Sequence, residues 1–334
     1  QSLVQAGHRV LYVESLGIRA PRVGSADRTR IARRLRRMLQ LPRHRLNGLW
    51  VWSPPVLPGG HSGIGLQINR CLLRAGLFLA TRWVRFKRPI LWTYNPLTTL
   101  YLDLNRFEAS VYHCVDRIQD QPGMPQARIE VNEQQLSQRV NVLFTTSPEL
   151  QATHLRWHPG ARMFGNVADH RHFSQARQPL PCPHALQDTL RPRIVFMGAI
   201  DAYKLDLRLL HQLIVRHPEW SFVLIGPVGE CDPSTEVAPL KVCSNVHLVG
   251  PQAYDTLPAW LSHADVALLP LQLNGYTRNM FPMKFFEYLS AGLPVVATAI
   301  PALAAHADVA WLCEPHVEAF EQAIRAALAG DGPT

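Results

Sequence analysis

Between residues 193 and 330 the apolar positions alternate between two periods. "RIVFMGAI" (193–200) is a continuous apolar run of strand length, whereas "DLRLLHQLIVRHPE" (206–219) spaces its leucines and isoleucine three and four apart, as a helix face does. "SFVLIGPV" and "NVHLVGP" read as strands, "YDTLPAWLSHA" as a helix, "DVALLPLQ" as a strand and "PMKFFEYLSAG" (282–292) as a helix. "LPVVAT", "VAWLCE" and the helical "VEAFEQAIRAALAG" complete the series. Pro282 suits a first helical turn, where its missing N–H goes unpaired anyway, and Gly292 can take the left-handed conformation that closes a helix. Strands alternating with helices predict a parallel sheet covered on both faces.

The first half repeats the alternation less regularly. Strands are predicted at "HRVLYVES", "GLWVWSPP", "PILWTYN", "SVYHCVD" and "NVLFTTS", with helices at "GLQINRCLLRAGLFLATRWVRF" and "EVNEQQLSQRV". The Pro- and His-rich stretch between the halves reads as a linker. The expected organisation is α/β, with two doubly wound, Rossmann-like parallel-sheet domains facing a cleft: residues 1–173, a linker at 174–191, and residues 192–334. The chain opens without Met on the end of a helix and stops just after one. The pattern therefore predicts a strand before the first helix, and further helix after the last, outside this sequence.

Composition narrows the class. The 334 residues are 47% hydrophobic and 18% charged, with no low-complexity block, no repeat, no signal peptide and no run as long as the ~18 residues of a membrane span. Six scattered cysteines without a C-x-x-C pair favour reduced thiols and a cytoplasmic location over disulfides or a zinc site. The net charge of +9 is concentrated: from Arg19 to Arg45 there are ten arginines and one acid, Asp27. "RTRIARRLRRMLQL" fits a basic amphipathic helix with Ile31, Leu35, Met38 and Leu39 on its apolar side. Three readings compete for it: a solvated face, a dock onto an anionic membrane surface, and nucleic acid. No interleaved aromatics accompany the charge, so nucleic acid is not expected.

Within the 282–292 helix, Lys284 and Glu287 lie three apart and so share a face. They are either a solvated ion pair or two contacts to one small ligand. A helix start at the carboxyl end of a parallel sheet favours a phosphate ligand there.

The order "VYHCVD", "NVLFTTSPEL", "GNVADHRHF", "IVFMGAID", "WSFVLIGP", "NVHLVGP", "LPAWLSHADVALLP" and "PMKFFEYLSAGLPVVAT" resembles the GT-B fold glycosyltransferases. The retaining, family-four-like bacterial polysaccharide enzymes are the nearest group. The resemblance runs over about residues 1–328 and is most specific in the last block. It implies a C-terminal domain that binds a nucleotide diphosphate sugar and an N-terminal domain that presents a glycan or lipid-linked acceptor. Lys284 would meet the donor diphosphate, and Glu287 would accept hydrogen bonds from the ribose hydroxyls. Gly198 and Lys204, after the first strand of the C-terminal domain, would stand near the phosphates.

Two departures accompany the resemblance. Asn279 occupies the place of the group's first glutamate, and Ala199 that of an arginine after Gly198, a charge that Arg278 could supply. The catalytic histidine of the N-terminal domain has no secure counterpart. Asp116 is preferred as a contact to sugar or acceptor hydroxyls, with His113 second, and Ser147 is a further cleft candidate or a helix cap.

Other chemistries find no pattern. His154 and His158 are four apart without the adjacent Glu of H-E-x-x-H, and no Walker A, G-x-S-x-G, G-x-G-x-x-G or Asp-x-Asp occurs. No metal and no cofactor beyond the donor itself is expected. The expected activity is sugar transfer in bacterial polysaccharide or glycoconjugate synthesis, and the expected location is the cytoplasm or the inner face of the membrane as a peripheral protein. Its rivals are a sugar-nucleotide epimerase on the same fold and a non-catalytic sugar-nucleotide-binding partner in an assembly complex.

Overall fold

The computed structural model describes residues 2–15, 41–57, 60 and 62–333. The basic helix expected at 28–41 lies outside these residues except for Leu41. The chain forms two compact units: residues 1–114, 123–144 and 154–162 in the first, and 115–122, 145–153 and 163–334 in the second.

In the first unit β1 (Val10–Val13) pairs in parallel with β3 (Leu49–Trp52), and β2 (Arg43–Leu46) pairs antiparallel with β3. The antiparallel β2 was not foreseen, although Asn47-Gly48 is a strong hairpin signal. Its arginines Arg43 and Arg45 hid it inside the basic stretch. The helix Gly63–Trp83 buries Asn69, Leu73 and Ala80. Asn69 fixes the loop before it, accepting from Leu57 N at 2.6 Å and donating to the Leu57 and Gly60 carbonyls at 2.9 and 2.8 Å. A second sheet runs β4-β5-β6-β7, with β4 Leu91–Thr93, β5 Ser110–Cys114, β6 Val142–Thr145 and β7 Arg162–Met163. Among the described residues the expected single sheet of this half is therefore two.

The second unit follows the sequence pattern closely. Its parallel strands are β8 (Arg193–Met197), β9 (Ser221–Ile225), β10 (Val246–Gly250), β11 (Val266–Leu269), β12 (Val295–Thr298) and β13 (Trp311–Cys313). They lie in the order β10-β9-β8-β11-β12-β13. Every residue of β8, β9, β11 and β12 is buried, as expected of strands covered by helices on both faces. The chain fills one side of the sheet and then returns to the other. The order thus reverses between β8 and β11, and the crevice beyond their carboxyl ends is where open α/β sheets bind ligands.

Close backbone approach shapes that end of the sheet. A Cβ on Gly226 would lie 2.0 Å from the Gly198 carbonyl oxygen, so only glycine fits after β9.

The linker expectation needs correcting. Residues 174–191 are not a solvated tether: Ala176 and Leu186 enter the core of the second unit together with Phe173. Arg193 donates to the Leu186 and Thr189 carbonyls at 2.8 and 2.6 Å, and Arg177 donates to Ser290 O and Leu289 O at 2.9 and 3.0 Å. Burial of a few apolar side chains outweighs a composition that reads as loop. The boundary at 173 shifts accordingly, since residues 163–173, 145–153 and 115–122 all pack with the second unit.

Candidate functional site

Three loops meet beyond β8 and β11, all within the second unit. The loop after β8 is pinned by Asp201, which is fully buried and accepts from Cys231 N and Asp232 N at 3.0 and 2.9 Å. Three residues on, Lys204 places its ammonium over the Tyr203 and Tyr276 rings, 5.2 and 5.7 Å from their centroids. The loop after β11 ends in a short helix, Gly275–Arg278, with a capping box: Asn274 Oδ1 accepts from Tyr276 N and Thr277 N at 2.9 and 3.0 Å. Asn274 also donates to Tyr203 O at 2.7 Å. One side chain therefore locks both tyrosine-bearing loops in register.

The third loop, residues 115–122, brings Asp116. Its carboxylate accepts from the Tyr276 hydroxyl and feels the Lys204 charge, but burial outweighs both and pushes its pKa up to about 6. Arg117 pairs with Asp120 at 2.8 Å, and Asp120 abuts Gly275 so closely that a Cβ there would lie 2.7 Å from its Oδ2. Asp116, Lys204 and Tyr276 thus form one half-buried polar cluster at the sheet reversal. The sequence named Asp116 and Lys204 for separate reasons; the structure puts them together.

The second cluster is at the helix Met283–Ala291. Gly292, with φ of +83°, is its left-handed C-cap, as the sequence predicts, and Pro282 is its extended N-cap, one residue before the first turn expected of it. Lys284 Nζ lies 2.8 Å from Glu287 Oε2, with the lysine side chain 33% exposed and the glutamate 4%. The carboxylate is therefore buried and the ammonium reaches solvent. Nearby, Tyr254 is half exposed and stacks on His172, with ring centroids 4.2 Å apart. Burial raises the Tyr254 pKa, and the charges of Asp169 and Glu287 add to this.

The remaining candidates fall elsewhere or serve the backbone. Gly198 follows β8 and donates its N–H to Ile225 O at 2.8 Å. Arg278 is exposed. Asn279 donates from Nδ2 to Gly275 O at 2.7 Å, closing the short helix, and its own carbonyl accepts from Ser147 Oγ at 2.8 Å. Ser147 is fully buried and also accepts from Leu150 N at 3.3 Å, a cap and a brace together. His113, in the first unit, lies against Trp92, Tyr94 and Phe144, with centroids 6.0, 5.2 and 6.1 Å away. Neither of its ring nitrogens has a hydrogen-bond partner, and burial lowers its pKa, so it is a neutral ring among aromatics.

One set of donors was not foreseen. In the first unit Cys114, Glu133 and His154 are buried with potential metal-binding atoms within 4.8 Å of one another. Glu133 Oε1 accepts from the Tyr112 hydroxyl at 2.6 Å, and His154 Nδ1 meets Ser137 Oγ at 3.1 Å. His154 was weighed only with His158, four residues on, whereas its companions lie far off in sequence and carry no spacing signature.

Tyr203, Tyr276, Asn274 and Tyr254 were also missed. Only Asn274 had a local signal, in "NGYT", an Asn followed three residues later by a hydroxyl. The tyrosines depend on which loops the sheet order brings together.

Residues 191–330 match the family model described as Glycosyl transferases group 1. Over 106 residues the chain is 31% identical to a Bacillus subtilis (strain 168) protein, TuaH, named for a teichuronic acid biosynthesis glycosyltransferase. That stretch is 32% of this chain and spans 26% of the length of that protein. Among solved structures, sucrose-phosphate synthase from Thermosynechococcus elongatus is similar over 96% of this chain and 90% of its own, with 17% identity and a TM-score of 0.66. HepE of Anabaena, in complex with UDP and glucose, aligns over 96% of this chain and 94% of its own, with 15% identity and a TM-score of 0.61. WaaG, a glycosyltransferase involved in lipopolysaccharide biosynthesis, aligns over 96% and 90%, with 15% identity and a TM-score of 0.58. The α/β fold with parallel sheets is that of the GT-B structures.

Proposed function

We propose that this chain, whose residues 191–330 form a group 1 glycosyl transferase domain, moves a sugar from a nucleotide diphosphate donor to a glycan or lipid-linked acceptor in bacterial polysaccharide assembly. The observation that carries the reading is the pair of cation sites in the second unit. Lys204 lies beside Asp116 at the sheet reversal, and Lys284 stands at a helix start above the buried Glu287. The neighbour solved with UDP and glucose supports a nucleotide-sugar donor.

Each group then has a task. The departing diphosphate gains negative charge as its bond to the anomeric carbon breaks, and Lys284, the helix N–H groups and Lys204 stabilise that charge as it forms. The acceptor oxygen bonds to the anomeric carbon on the face the phosphate leaves, and its proton passes to the departing phosphate oxygen. Configuration is retained and no carboxylate nucleophile is needed. Glu287 accepts from ribose hydroxyls, the exposed face of Tyr254 offers a surface for the base, and Asp116 accepts from a hydroxyl of the transferred sugar. With two lysines and a helix start facing the diphosphate, neither a metal ion nor a cofactor is required.

A second reading has one observation in its favour. Asn279, in the place of a family glutamate, ties its amide to Gly275 O and so suits a protein that binds donor without transferring from it. Calorimetry with UDP, GDP, ADP and dTDP, followed by donor turnover on lipid-linked acceptors, separates the two. We expect one diphosphate to bind far more tightly than its nucleoside, and its sugar to be transferred. Binding without turnover of any donor would favour the second reading, and no binding of any diphosphate would sink both.

A further inference from the structure

The helix Gly63–Trp83 has two apolar faces, and the first unit covers one of them. Asn69, Leu73 and Ala80 point into the protein, whereas Ile64, Leu79, Trp83 and Phe78 are 80%, 62%, 60% and 59% exposed. Ile68 and Leu72 are also exposed. At about 100° per residue, Ile64, Ile68, Leu72, Leu79 and Trp83 fall in one sector and Phe78 borders it. Single exposed apolar side chains are ordinary on a protein surface. A stripe along the whole of a 21-residue helix marks an interaction site.

The charge around the stripe says what covers it. No acidic residue occurs between Arg28 and Leu102, and the stretch 63–88 carries Arg70, Arg74, Arg82, Arg85, Lys87 and Arg88. Arg74 holds its place through Nε to Tyr101 O at 2.8 Å while remaining exposed, and the Arg82 guanidinium lies 5.8 Å from the Phe78 ring centroid. A second copy would bring the same cations to the contact, and nucleic acid would leave the isoleucines and leucines in water. An anionic bilayer satisfies both features, taking the stripe into its acyl boundary and the arginines at its phosphates. Three arginines and the buried Asn69 exclude a span, and among the described residues no helix is long and apolar enough to cross a membrane.

We infer that the Gly63–Trp83 helix is an interfacial helix that seats the first unit on a bilayer of anionic phospholipid. The inference is independent of residues 16–40 and of the sugar-transfer reading.

Flotation with phosphatidylcholine vesicles, with and without phosphatidylglycerol, tests it on the full chain. The protein should float with the mixed vesicles at low salt, and less so as salt rises. The triple variant Ile68→Ser, Leu72→Ser, Leu79→Ser should lower partitioning at least ~tenfold, because it removes the methyl and methylene groups that enter the acyl boundary. Its circular dichroism and thermal midpoint should match the native chain, since these side chains face solvent. Ile64→Asp, at the most exposed position, should weaken binding without touching the packing. Failure of the native chain to float, or equal flotation of both variants, would overturn the inference. So would a native dimer that the triple variant splits without any vesicle binding, since the stripe would then belong to a second copy. Loss of binding confined to Arg33→Gln, Arg34→Gln, Arg36→Gln, Arg37→Gln would assign the membrane contact to the basic segment instead.

Discussion

Lys204 and Lys284 stand in the same unit, each at the carboxyl end of a parallel sheet, yet their charges are held differently. Lys284 has a carboxylate at hydrogen-bond distance in Glu287, which is nearly inaccessible to water while the lysine is not. Lys204 lies over two aromatic faces with Asp116 nearby, and the tyrosines are themselves locked by Asn274. The first is an ion pair between a solvent-reaching ammonium and a buried carboxylate. The second is a cation kept half-desolvated by rings, the arrangement in which electrostatic stabilisation is largest. On the proposed reading, a diphosphate meeting both would gain affinity mainly from one and charge stabilisation mainly from the other.

Substitutions should separate the two. The largest effect belongs to Lys284→Ala, which removes the proposed phosphate cation and strands a buried carboxylate. We expect transfer to fall by ~10³-fold or more and nucleoside diphosphate affinity to drop far more than nucleoside affinity. Equal loss for the two ligands in calorimetry would move Lys284 off the phosphates. Lys204→Ala should lower kcat by ~10²-fold with a smaller change in donor affinity, measured by steady-state kinetics. A pure affinity loss would erase the contrast between the lysines. Glu287→Gln comes third: ribonucleotides should lose about tenfold in affinity relative to their 2′,3′-dideoxy analogues, because only the former offer the hydroxyls. An unchanged preference would leave Glu287 as the partner of Lys284 and nothing more.

Asp116 gives a pH signature. With its pKa pushed up to about 6, the carboxylate is protonated below that value, and transfer should fall off there on the acid side. Asp116→Asn should lower the rate and remove that limb. The sign for stability is opposite. A raised carboxylate pKa contributes stability that is complete below the unfolded value of about 3.9 and is lost as pH rises through about 6. The thermal midpoint of the native chain relative to Asp116→Asn should therefore decline across that window, and a flat difference would mean that Asp116 is not desolvated. The smallest effect is expected for Asn274→Ala, which removes a capping box for ~1 kcal/mol in denaturant unfolding and loosens both tyrosine loops. If transfer is untouched, the loops need no lock.

The second unit was legible in sequence because its strands are buried on both faces, so β8, β9, β11 and β12 each appear as unbroken apolar runs between turn residues. Helix boundaries at Pro282 and Gly292 were equally readable, being fixed by backbone chemistry within a few residues. What could not be read was long-range. Lys204 and Tyr276 meet because the strand order reverses between β8 and β11, and Asp116 joins them on a loop after β5 of another sheet; no local pattern encodes which loops come together. Residues 174–191 misled for the converse reason. Pro and His signal a tether, but Ala176 and Leu186 need only two openings in the core to hold the segment down. The short hairpin strand β2 was hidden by its own arginines, which an exposed strand tolerates and a pattern search discounts.

Arg177, in the stretch that composition marked as a tether, closes the far end of the Lys284 helix by donating to the Leu289 and Ser290 carbonyls. Those carbonyls are the negative pole of the dipole whose positive pole lies at the Lys284 end, where we propose that the diphosphate binds. By neutralising the rear of the helix, Arg177 leaves its front more purely attractive to anions. On the proposed reading, the stretch that composition marked as a tether is part of the donor's electrostatic environment, coupled to it through nine residues of helix rather than by contact.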